Sequence, residues 1–131
     1  MIATIAVSAI LPACSGGGNS SGLSGTFAAG TFGALAQSGQ SVFSQNCARC
    51  HGDQGQGGVG PTLIGKTNIP LAYPTADKLL NKISTTMPRN DPGSLSATQY
   101  QQVLSFIMLQ NKWVNSQDTF NKDNLGQVNI E

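Results

Sequence analysis

The apolar positions of this chain fall into three regimes, and each predicts a different kind of segment. From Ile2 to Leu11 apolar residues dominate a stretch of ten, too short to span a bilayer but matching the hydrophobic region of a signal peptide. From Ser15 to about Gln37 the residues are mostly Gly, Ser, Ala, Thr and Asn, with few large side chains and no charge. Such a segment cannot bury enough surface to order itself and reads as a tether, with Phe27, Phe32 and Leu35 given no role. Beyond Ser38 the apolar residues recur at three- and four-residue spacing. Gly39, Val42, Phe43, Asn46 and Cys47 share one face of a first helix. Leu79, Leu80 and Ile83 share a face of a second, with Thr75 as N-cap and Asp77 in the first turn, where the helix dipole favours an anion. Tyr100, Val103, Leu104, Ile107 and Met108 mark a third, from about Ser96 to Asn111, with Ser96 as its cap. The pattern predicts helices within a domain over 38–131, preceded by a leader (1–13) and a tether (14–37). The polar tail from about 112 reads as a strap across the surface.

Between the helices lie two informative breaks. Gly52 to Pro61 contains too much glycine for helix or strand and forms a loop. Met87 precedes Pro88, which pushes it out of the α region, so the second helix stops there and the thioether projects from extended chain.

Charge narrows the partners. Seven basic and six acidic residues give a net charge of +1, and charged residues are 10% of the chain, against about 25% in ordinary globular domains. No lysine or arginine precedes Arg49, so there is no basic arm for nucleic acid.

The candidate chemistry lies in Cys47-Ala48-Arg49-Cys50-His51. Two cysteines three positions apart with histidine directly after the second form the attachment motif of a c-type haem. The thiols join the porphyrin vinyl groups and the imidazole becomes an axial ligand. Zinc would need four ligands, and beyond this cluster the chain has only Cys14 and no second histidine. A thioredoxin-like dithiol would need a βαβ setting that is missing here. A backbone carbonyl of Gly60-Pro61-Thr62-Leu63 can accept the imidazole's other N–H, and Leu63 and Ile64 wall the pocket. With one histidine in the chain, the sixth ligand is Met, Lys or nothing. Met108 lies on an apolar helix face, the usual place of a core methionine, which leaves Met87 as the better candidate. Tyr73, Lys66, Arg89 and Trp113 are candidate partners for the haem propionates.

Leu11-Pro12-Ala13-Cys14 resembles the lipobox of bacterial lipoproteins, which implies a lipid anchor on Cys14; the alternative is a secreted protein with a spare thiol. Gly39 to Ile107 resembles the class I cytochrome c family, through Gly39, Phe43, Cys47, Cys50, His51, Gly60-Pro61, Met87-Pro88 and the last helix. The resemblance implies an all-α fold, three to five helices wrapped around one covalently attached haem c, whose first and last helices cross near Gly39 and Phe106. It implies that Pro61 supplies the carbonyl to His51 and that Met87 binds iron. More narrowly, Ile83 to Pro88, Asp91 to Ser96 and Leu125 to Val128 resemble cytochromes that accompany PQQ-dependent dehydrogenases. These resemblances imply a periplasmic, lipid-anchored electron carrier, not an enzyme, that links a dehydrogenase to an oxidase or another cytochrome. Two alternatives stay open: a haem enzyme or gas sensor with a displaceable sixth ligand, and a structural haem subunit of a larger complex. The exposed haem edge is expected to be lined by Ala48, Val59, Thr86 and Pro88, with Arg49 and Arg89 offset by Asp53 and Asp91.

Overall fold

The computed structural model describes Leu23 and residues 25–131, so the expected leader and Cys14 lie outside the described residues. Five α-helices follow one another: α1 (Phe32–Asn46), α2 (Ala48–His51), α3 (Ile69–Ala72), α4 (Ala76–Thr86) and α5 (Ala97–Gln110). A 3₁₀ turn, Lys122–Gln127, ends the series. Among the described residues β structure is limited to two isolated bridges, Thr31 with Thr119 and Thr75 with Asn129.

The first helix begins at Phe32, earlier than the boundary near Ser38 that composition suggested, and this corrects the extent of the tether. Thr31 caps it, its Oγ1 accepting from Ala34 N–H at 3.3 Å. Phe32 is 2% exposed and packs edge-on against Phe120, with ring centroids 5.2 Å apart. Its N–H and that of Gly33 each donate, at 2.9 Å, to Asp118 and Ser116 carbonyls. Those helix N–H groups have no partner within α1. A partner so distant in sequence leaves no local trace, and alanine and glycine read equally well as linker or as tightly packed helix.

The tail serves α4 in the same way. Ala76 N–H donates to Val128 O and Ile130 N–H to Pro74 O, both at 2.9 Å, while Val114, Leu125 and Ile130 are buried. The segment 112–131 thus supplies carbonyls to the starts of α1 and α4. Thr75 occupies the N-cap position of α4, but its hydroxyl donates to Asp77 Oδ1. That bond holds the Asp77 carboxyl below the usual carboxylate range. At Ser96 the expected cap is complete: Ser96 Oγ accepts from Gln99 N–H at 3.2 Å, and Gln99 Oε1 accepts from Ser96 N–H at 2.9 Å.

The broadest helix pairing is α1 against α5, and Gly39 makes it possible. A Cβ there would collide with the Gln102 carbonyl and stand 3.1 Å from Phe106 Cβ. Because the backbones approach so closely, the rings of Phe43 and Phe106 pack at a 45° tilt with centroids 5.1 Å apart. Leu104, Ile107 and Met108, all essentially unexposed, complete the core. This crossing fixes the end of α1, and with it the position of Cys47.

Candidate haem site

Cys47 is the hinge between two helices. Its N–H donates to Phe43 O at 2.8 Å, closing α1, and its carbonyl accepts from His51 N–H at 2.9 Å, opening α2. One helical turn thus carries Cys47, Cys50 and His51, and Gly52, at φ +82°, ends it. The glycine loop then folds back on the turn: Gly57 N–H donates to His51 O and Gly60 N–H to Cys50 O, each at 2.7 Å. That return sets Pro61 O 2.8 Å from His51 Nδ1. A carbonyl can only accept, so Nδ1 carries the proton and Nε2 keeps its lone pair for a metal. Position 60 has to be glycine: a Cβ would lie 2.7 Å from His51 Cε1 and 2.8 Å from Nδ1.

Cys47, Cys50, His51, Pro61 and Met87 line one cavity of about 420 Å³, within the ~300–1,000 Å³ of small-molecule and cofactor sites. Leu63, Ile69, Leu79, Ile83, Val103 and Ile107 make its walls apolar. Met87 sits on extended chain at φ −124°, ψ 151°, as the following proline demands. Met108 is fully buried in the core and does not line the cavity.

Several expected neighbours are placed differently. Ile64 lines nothing here; its side chain lies over Gly55, whose carbonyl accepts from Leu63 N–H at 2.8 Å and Ile64 N–H at 3.1 Å. Lys66, Tyr73 and Arg89 border the cavity, whereas Trp113 does not. Ala48 is buried at 7% exposure, packed into the core at the start of α2, and cannot rim an exposed edge. Val59, 92% exposed, does border the cavity.

Three features escaped sequence reasoning. The short helix α3 brings Ile69 to the wall, but four residues are too few for periodicity to register. Lys82 reaches the cavity one position before Ile83, a placement that its neighbour's helical stripe could have suggested. Tyr100 was read only as an apolar stripe residue, yet its hydroxyl donates to Met87 O at 2.7 Å.

The donor set fits one haem c. Cys47 and Cys50 are both free thiols at the cavity and would carry the thioether links. Burial, with the neighbouring Cys50 second, pushes the Cys47 thiol up to about 11, so it is protonated at neutral pH. Lys66, Lys82 and Arg89 border the cavity, no acidic residue does, and these cations would face the propionates. Among the described residues no group of three or more His, Cys, Asp or Glu could hold a metal ion.

Fold and site together define a class I c-type cytochrome domain. Residues 34–107 match the family model described as cytochrome c oxidase, cbb3-type, subunit III; this is more than half of the chain, and the chain belongs to that family. Among solved structures it is similar to the sulfane dehydrogenase SoxCD from Paracoccus pantotrophus, at 25% identity and a TM-score of 0.63. That match takes in 72% of this chain and 52% of the SoxCD chain, so the present chain spans about half of its length. It is also similar to cytochrome CL from the marine methylotrophic bacterium Methylophaga aminisulfidivorans, at 18% identity and a TM-score of 0.43, over 69% of this chain and 74% of that one. No curated protein matches the chain. The protein is a haem c domain of the electron-transfer type.

Proposed function

We propose that this domain is a His51/Met87-ligated, monohaem electron carrier. The observation that supports the reading is the single cavity bordered by both attachment cysteines, the free Nε2 side of His51 and the only described methionine outside the core. Haem c supplies one-electron exchange between Fe(III) and Fe(II), and a thioether ligand favours the reduced state. The chain's own residues do the rest. His51 is oriented by Pro61, the aliphatic walls exclude water, and Met87 occupies the position a substrate would need.

The electrons would come from a dehydrogenase, a PQQ-dependent one among the candidates, and pass to an oxidase or another cytochrome. Similarity to part of a sulfane dehydrogenase supports a dehydrogenase as partner. The same similarity, with the family description, also favours a second reading in which the domain is the electron-transfer subunit of a larger complex. In either case the iron is closed to substrate. Carbon monoxide should therefore fail to bind the reduced protein at neutral pH; stoichiometric binding would transfer the domain to the gas-sensor or enzyme class.

The proposed location is the periplasm, with the domain lipid-anchored through Cys14. Leu11-Pro12-Ala13-Cys14 supports this. Cys14→Ala should move the protein from the membrane to the soluble fraction with its haem spectrum intact. Unchanged membrane association would remove the anchor.

A further inference from the structure

Tyr100 stands in the first turn of α5, 5% exposed, beside the cavity. Its hydroxyl makes two bonds: it donates to Met87 O at 2.7 Å and accepts from Leu95 N–H at 3.4 Å. One oxygen thus ties together both ends of the 88–94 loop. That loop has little else to hold it, because residues 89–94 are exposed. Its internal bonds are turns, Asp91 N–H to Pro88 O at 2.9 Å and Ser94 N–H to Asp91 O at 3.3 Å. The other bond to the Met87 carbonyl, from Gly93 N–H, is long at 3.5 Å. On its amide side Met87 is tied to α4 by its N–H to Ile83 O at 3.1 Å. Segments with few buried contacts open at low cost, so the Tyr100 bond is the tie between the Met87 backbone and the rigid core helix.

We propose that the Tyr100 hydroxyl is a positioning group that holds Met87 in place as the iron ligand, setting how often the sixth position opens. The proposal rests on the reading of Met87 as that ligand. Tyr100 touches neither the iron nor the thioether in this account; it acts through the Met87 backbone. Tyr100→Phe keeps the ring that packs in the core and removes only the donor. What remains is a carbonyl with one long bond and a Leu95 N–H without a partner.

Imidazole added to the oxidised holoprotein can bind only when Met87 has left, so its apparent affinity rises with the fraction of open molecules. Loss of one net hydrogen bond predicts that Tyr100→Phe binds imidazole about three- to tenfold more tightly than the wild type. Met87→Ala should bind it more tightly still. In the Met87→Ala background, Tyr100→Phe should add nothing, since the group through which it acts is gone. Far-ultraviolet circular dichroism and haem content should match the wild type throughout. Wild-type affinity in Tyr100→Phe would overturn the proposal, as would an equal gain in both backgrounds, which would mean that Tyr100 shapes the pocket directly. If Met87→Ala itself binds imidazole no better than the wild type, the ligand reading fails instead.

Discussion

At the scale of the residue, the two methionines of the folded domain are separated by their surroundings. Met108 has no exposed surface and sits in the core, where a flexible apolar side chain fills space. Met87 is half-buried, borders the cavity and lies on a segment that proline keeps extended. A similar economy governs His51. Its 2.8 Å bond to Pro61 O selects the tautomer, and the missing Cβ at Gly60 leaves room for the ring. Such outer-shell contacts fix a ligand's orientation and basicity. His51 and the cysteines were legible in the sequence because five consecutive residues carry the whole motif. Tyr100 was not, because its hydroxyl finds its partner across a loop and nothing local announces that bond.

At the scale of the element, the site depends on how closely α1 approaches α5. Gly39→Ala would gain about 1 kcal/mol of helix propensity but force a methyl group against the Gln102 backbone, and overpacking of that kind costs about 1–3 kcal/mol or more. Backbone cannot swing aside as a side chain can, so the upper end applies. We expect a net loss of about 2 kcal/mol, lowering the thermal midpoint by roughly 10 °C in a domain of this size. Thermal melts of the holoprotein check this; an unchanged or raised midpoint would mean that the helices can separate freely at Gly39. Helical spacing gave the two helices, and the resemblance implied their crossing. What spacing could not give was the start of α1, because the carbonyls and the ring that complete it come from Ser116, Asp118 and Phe120. The strap likewise looked polar, since its buried anchors Val114, Leu125 and Ile130 are too widely spaced to form a helical stripe.

At the scale of the whole molecule, the tail completes the starts of α1 and α4 while the cavity stays bordered by α2, α3, α4, α5 and the loops between them. The cysteines and His51 come from the end of the α1–α2 unit, Met87 from the end of α4, and the Tyr100 latch from the start of α5. Under the proposed ligation, three elements must therefore meet to bring both protein ligands to one iron. The basic groups at the cavity, Lys66, Lys82 and Arg89, add positive charge where carboxylates would lie, in a chain whose net charge is only +1. On the proposed ligation by His51 and Met87, the domain exchanges electrons and the iron has no vacant position.

That claim is tested most directly by the methionine-to-iron charge-transfer absorption of the oxidised holoprotein, measured in the wild type, Met87→Ala and Met108→Ala. Ligation by Met87 predicts that the absorption is present in the wild type, absent in Met87→Ala and retained in Met108→Ala, even though loss of a buried methionine destabilises that variant by about 2–5 kcal/mol. Its absence from the wild type, or its loss in Met108→Ala with persistence in Met87→Ala, would contradict the account.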